Sequence, residues 1–162
     1  MSAINIRQAH AADFDSMCCL FDEIDSLHRK ALPALFRKPS GPVRDRAYVL
    51  NLIADPNVLI LVAELEQKLA GLAHAFVRES TALPVFTPRK FVVIDSIIVT
   101  QAMHRHGIGR QFAEHIELWA KCQGAESIEL NVYEFNREAL RFYECLGYST
   151  LSRKMNKSIE PA

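Results

Sequence analysis

The 162-residue chain lacks an excess of charge of either sign: 19 Lys+Arg stand against 19 Asp+Glu, a formal net charge of zero. A general polyanion binder would carry a net positive footprint, so the balance excludes a nucleic-acid partner of that kind. Long apolar runs are missing too. The longest purely apolar stretch, Val58 to Ala63, falls far short of the ~20 residues a membrane helix needs, and no membrane partner is expected. The opening residues, Met1 to Arg7, show no charged region followed by an apolar block, so no secretory leader is expected and the expected location is cytoplasmic. Cysteines are few: Cys18, Cys19, Cys122 and Cys145 form no Cys-x-x-Cys pair, which argues against a disulfide framework or a zinc site. What remains is the composition of an ordinary folded domain, 49% hydrophobic and 23% charged, which excludes wholesale disorder. At about 150 residues per domain, residues 1–162 are expected to form one domain with a core of its own.

Periodicity orders the chain. Ile4 to Arg7 alternates and reads as a first strand. Phe14, Met17, Leu20, Phe21, Ile24 and Leu27 recur at helical spacing within Ala12–Ala31. Pro33, Pro39, Gly41 and Pro42 mark a loop before a second helix from about Val43 to Ile53. Val58–Glu64 and Leu69–Glu79 flank a polar turn and form a hairpin. Phe91–Val99 is a nearly continuous apolar strand, the mark of burial on both faces. Ile108, Phe112, Ile116 and Trp119 trace one helix face, Ile128–Val132 is a strand, and Ala139 to Leu146 forms a helix that Gly147 ends. Tyr148 to Lys157 offers a last strand. Such an order predicts a mixed α/β (α+β) domain, with a central sheet flanked by helices.

Two segments carry chemistry. His104-Arg105-His106-Gly107-Ile108-Gly109-Arg110 follows a buried strand and opens a helix. Glycines let a ligand approach the backbone, and the unpaired N–H groups of a helix start, with the dipole's positive end, attract an anion such as a phosphate. Neither the Walker pattern nor the full dinucleotide fingerprint is present. His104-x-His106 is no metal site, because further ligands at zinc spacing are absent nearby. The second segment is Asn136-x-x-Ala139-x-x-Phe142-Tyr143-x-x-x-Gly147-Tyr148, which begins past a strand and runs down a helix.

Together these two segments resemble the GNAT superfamily of acyl-CoA-dependent N-acetyltransferases, with their pyrophosphate loop R/Q-x-x-G-x-G/A and later signature N-x-x-A-x-x-F-Y-x-x-x-G-F/Y. The resemblance implies a mixed, mainly antiparallel sheet with a splayed parallel strand pair and about four helices. It implies acetyl transfer from acetyl-CoA to an amine of a small molecule, peptide or protein, by direct transfer in a ternary complex, without a metal. Dimerisation is a further implication. Residues Met103 to Arg110, including His104, Arg105, His106, Gly107, Ile108, Gly109 and Arg110, would cradle the pyrophosphate. Backbone groups around Ile97, Ile98 and Val99 would pair with the pantetheine arm between the splayed strands Asp95–Val99 and Ser127–Val132. His104 departs from the family's Arg or Gln, and a histidine titrates near neutrality.

Asn136 would contact the cofactor; as a helix N-cap it has a structural role as well. Tyr143 matches the family's general-acid position at the departing thiolate, although its place beside Ala139 and Leu146 also suits core packing. Asp95, set within an apolar strand, is a candidate general base on the expectation that burial raises its pKa. A structural hydrogen bond explains it equally, and Glu79 and His74 are rivals. Acids Asp13, Asp15, Asp22, Glu23 and Asp25 on the first helix form either a wall that attracts a cationic amine or a solvated face. Pro33, Leu35 and Phe36 suit a pocket rim, and His10 and His115 suit surface or packing. Two other functions stand beside acetyl transfer: a catalytically inactive acyl-CoA-binding module or sensor, and a nucleotide-phosphate binder.

Overall fold

The computed structural model describes residues 4–159. They form two compact units that meet in sequence at Asn131 and Val132. The first holds β1 (Asn5–Gln8), α1 (Phe14–Ala31), α2 (Arg46–Ala54), β2 (Val58–Leu65), β3 (Lys68–Glu79), β4 (Lys90–Val99), α3 (Ile108–Cys122) and β5 (Ser127–Leu130); the second holds α4 (Arg137–Cys145). No helix among the described residues is long and apolar enough to cross a membrane.

The sheet of the first unit runs β1-β2-β3-β4-β5, antiparallel through β4 and parallel between β4 and β5. This is the mixed α/β domain that the element order predicts, with the mainly antiparallel sheet and parallel pair that the resemblance implies. One face carries Ile60, Val62, Leu72 and Ile98 against Met17, Leu20 and Phe21 of α1 and Val49 of α2. Each such side chain taken fully out of water contributes about 1.5–3 kcal/mol. α3 supplies a second layer through Ile108, Phe112, Ile116 and Ala120, four buried positions at helical spacing. Gly71 on β3 fixes how closely that helix approaches. A Cβ there would lie 2.8 Å from the Ile98 carbonyl oxygen and 3.0 Å from the Phe112 ring.

Three sequence expectations need correction. The first helix does not begin at Ala12: Ala11–Asp13 form a 3-10 turn, because Arg7 grips the Asp13 carboxylate and Asp13 in turn accepts from the His10 N–H at 2.8 Å. α2 begins at Arg46 rather than Val43, since Asp45 is the cap and accepts from the Tyr48 N–H at 2.9 Å. Residues 148–159 form no strand. Their few apolar side chains have nothing to bury against: Leu151 is 78% exposed and Met155 86%.

Candidate active site

β4 is the strand from which the site is built. Its parallel pairing with β5 runs only from Phe91–Ser127 to Ile94–Leu130, while its antiparallel pairing with β3 continues to Val99. Beyond Ile94, one edge of β4 therefore has no strand beside it among the described residues. β5 ends at Leu130 rather than Val132, which widens the fork. An unpaired strand edge is a row of N–H and C=O groups ready to accept an extended ligand.

The fork leads into the glycine turn. After Val99 the chain makes a 3-10 turn over Gln101–Met103, passes Arg105 at φ 64°, and reaches Gly107 at φ 79°, the left-handed cap of α3. The left-handed region is costly for a side chain such as that of Arg105, whereas Gly107 adopts it freely. Ile108, Gly109 and Arg110 form the first turn of α3, whose N–H groups lack an intrahelical acceptor and sit at the positive end of its dipole. His104 folds back on the strand. Its Nε2–H donates to the Val99 carbonyl at 2.8 Å, and the His106 ring donates to the His104 carbonyl at 2.9 Å. The histidine in place of Arg or Gln thus ties the turn to the end of β4, a role that spacing alone does not disclose.

A second polar centre lies at a break in the β3–β4 ladder. The register slips between His74 and Ala75, so that His74 faces Ser96 while Ala75 faces Ile94, and Asp95 is the extra residue of a β-bulge. The bulge turns the Asp95 carboxylate toward His74, whose Nδ1–H donates to it at 3.2 Å. This corrects the expectation of a buried Asp95 with a raised pKa. The side chain is 56% exposed, and the His74 hydrogen bond, aided by the charge of Arg44, holds the carboxyl below its ordinary range against the cost of partial burial. His74 itself is buried, and its Nε2 has no hydrogen-bond partner. Of the other candidate base, Glu79 pairs with Lys90 at the far end of β3, away from this centre.

Beside the pair opens a cavity of about 440 Å³, lined by His74, Asp95, Phe21, Tyr48, Phe76 and Arg44 among others. It lies wholly within the first unit. The acids at 13, 15, 22, 23 and 25 do not supply a wall to it. Asp13 is buried in its ion pair with Arg7, Asp22 pairs with Arg29 at 3.3 Å, Asp25 pairs with Arg44 at 3.0 Å, and Glu23 accepts from the Thr100 hydroxyl at 3.1 Å. His115 is exposed and bonds to the Gln111 carbonyl of its own helix.

In the second unit the Asn136–Tyr148 signature is a helix with both caps. Asn136 Oδ1 accepts from the Ala139 N–H at 3.1 Å, the N-cap geometry. At the other end Gly147 takes φ 90°, its N–H donates to the Glu144 carbonyl at 3.0 Å, and the Tyr148 N–H donates to the Tyr143 carbonyl at 3.0 Å. That is a Schellman motif, completed by the Tyr143 and Tyr148 rings at 5.5 Å. Burial pushes the Tyr143 hydroxyl well above the ordinary tyrosine range, and Tyr148 adds to the shift. The phenol therefore keeps its proton throughout the neutral range.

Comparison with known proteins bears on both units. A mutant of the BH1408 protein from Bacillus halodurans is 26% identical, with 96% of this chain and 99% of that one covered and a TM-score of 0.91. The aminoglycoside N-acetyltransferase AAC(6')-Iy in complex with CoA shares the fold at 14% identity, covering 99% and 97% of the two chains with a TM-score of 0.74. So does the aminoglycoside acetyltransferase meta-AAC0020 from an uncultured soil metagenomic sample, in complex with sisomicin, at 16% identity, 98% and 97% coverage and a TM-score of 0.71. The comparison with curated proteins finds no significant match. The family model described as the acetyltransferase (GNAT) family matches residues 21–148, most of the chain, including both motifs. On that match, and on the mixed sheet that forks where the motif sequence requires it, the chain belongs to the GNAT family of acetyltransferases and is an acyltransferase.

Proposed function

We propose that the protein moves an acetyl group from acetyl-CoA to an amine by direct transfer, with both substrates bound together. The observation that supports this most is the open edge of β4 beyond Ile94, running straight into the N-terminal turn of α3. The edge suits an amide-bearing pantetheine arm, paired through Ile98 and Val99. Residues His104 to Arg110 suit the pyrophosphate, with Arg105 and Arg110 adding charge, and Asn136 is a further cofactor contact by its motif position. The AAC(6')-Iy neighbour is known in complex with CoA.

In the reaction, the neutral amine nitrogen forms a bond to the acetyl carbonyl carbon. The C–S bond breaks, sulfur leaves with its electron pair, nitrogen gives up a proton and sulfur gains one. An alkylammonium with a pKa near ~10.4 must first lose a proton. Asp95 would hold the ammonium, with His74 fixing its orientation; because its carboxyl is held below the ordinary range, it would relay the ammonium proton to solvent rather than keep it. Tyr143, protonated throughout the working range, donates to the departing thiolate. Its substitution by Phe should leave folding intact and lower turnover about 100-fold, within the range for general acid–base groups; unchanged turnover would remove the assignment. The reading as a whole is tested by thiol release from acetyl-CoA across an amine panel, with cofactor binding measured alongside. Tight CoA binding with no release on any amine would put an acyl-CoA sensor in its place.

A further inference from the structure

We infer that the cavity beside His74 and Asp95 seats an acceptor of a particular class: a small primary amine carried on an aromatic or apolar body. The inference rests on the acetyl-transfer reading for its consequence but on the cavity for its content. At about 440 Å³ the cavity is of small-molecule size. Its walls are largely apolar, with three aromatic rings, those of Phe21, Tyr48 and Phe76, and Val49 and Leu52 between them. Rings of this kind favour a flat apolar body and tolerate a nearby cation on their faces.

The charged groups decide the rest. Arg44 is already engaged: its guanidinium lies 3.0 Å from the Asp25 carboxylate and stacks over the Phe21 ring at 4.6 Å. It therefore offers little to a substrate carboxylate. Asp55 accepts from the Asn57 N–H at 2.8 Å through Oδ1 alone, so its second oxygen also faces solvent or ligand. His74 gives its Nδ1 proton to Asp95. Of the two cavity carboxylates, Asp95, more than half exposed and bonded by its Oδ2 to His74 alone among the described residues, is the one on β4 beside the open edge beyond Ile94, and so is the seat for the reacting ammonium. A polycation rich in hydroxyls would bring many polar groups against Phe21, Val49, Leu52, Val58 and Phe76, which cannot pair with them, and unpaired polar groups are costly to desolvate. The aminoglycosides named for the structural neighbours are such molecules. An amino acid with the same aromatic body adds a carboxylate that Asp95 repels and the engaged Arg44 does not receive.

The experiment is titration calorimetry on the CoA-loaded full chain with 2-phenylethylamine, phenylalanine and neamine, with acetyl transfer to each measured in parallel. Phenylethylamine should bind at least tenfold more tightly than either of the others, and Asp95→Asn, checked for folding by urea denaturation, should weaken it at least tenfold. Equal or tighter binding of neamine or phenylalanine, or binding that ignores Asp95→Asn, overturns the inference. Selective binding without acetylation would leave the inference standing and sink the transfer reading. Acetylation of another amine, with phenylethylamine failing to bind, would do the reverse.

Discussion

Asp13 and Asp95 are both held below the ordinary carboxylate range by a basic neighbour, yet their surroundings differ in what they leave over. Asp13 is buried, bonded by Arg7 through both oxygens at 2.8 and 2.9 Å, and capped by the His10 N–H; Arg7 also reaches Glu64 at 2.8 Å. Both oxygens of Asp13 are taken up there. Asp95 stands on a bulge, half in solvent, held by one histidine whose other ring nitrogen is buried and unpartnered, at the mouth of a cavity. A depressed pKa alone therefore does not distinguish a structural carboxylate from a working one. Residual hydrogen-bonding capacity beside a cavity does.

The contrast can be broken at either side. The largest effect is expected from Asp95→Asn: kcat/KM should fall about 100-fold while stability changes by less than about 0.5 kcal/mol, as is usual for exposed positions. Steady-state kinetics with urea unfolding on the same preparation reads both, and a large stability loss with little kinetic change would reverse the assignment. Asp13→Asn should do the opposite. Its cost should be about 2 kcal/mol, below the ~3–5 kcal/mol for severing a fully buried pair because Arg7 is partly exposed and keeps Glu64. The folded fraction should retain its turnover per molecule. Next in size is His74→Leu. Without the imidazole donor the Asp95 pKa rises toward its ordinary value, so the acidic limb of kcat/KM should move to higher pH, and His74→Gln, which restores a donor, should return it.

The smallest effect is on acid stability. Both carboxyl groups have folded pKa values below the unfolded one, so their contribution is fully present above about pH 4 and is lost as pH falls through the folded values. Urea unfolding between pH 5 and 2, the span of about one to two units around that value, should show a shallower decline for Asp13→Asn than for the wild type. For Asp95→Asn the decline should be almost unchanged, since solvent screens a half-exposed pair. Equal flattening in both variants would erase the distinction.

Much of this molecule is legible in one dimension because the relevant physics is local. The 3.6-residue recurrence of Ile108, Phe112 and Ile116 announces a helix face, and those are the residues buried against the sheet. Asn136 and Gly147 mark the ends of α4 because capping needs residues only a few positions apart. The last strand fails for the complementary reason. The apolar residues of 148–157, at 148, 151 and 155, do not alternate, and a strand exists only if another edge and an apolar surface receive it.

Asp95 fails differently. An apolar run around an aspartate reads as burial, whereas a one-residue bulge, set by the pairing of β4 with β3, turns that side chain outward and gives it a histidine 21 residues away. No periodicity encodes a bulge, and only the register of β3 against β4 brings His74 into contact with Asp95. The same holds for Asp25 of α1, whose partner Arg44 lies 19 residues away.

By itself, then, the sequence determined the order of the elements, the two caps of α4, the glycine turn before α3 and the family to which those motifs belong. All of these depend on residues near one another along the chain. Tertiary structure alone decided where β4 parts from β5, which aspartate is sealed and which is open, and that aromatic walls stand beside the open one. Those are contacts between residues far apart in sequence, and they are selected by register, burial and charge rather than by spacing.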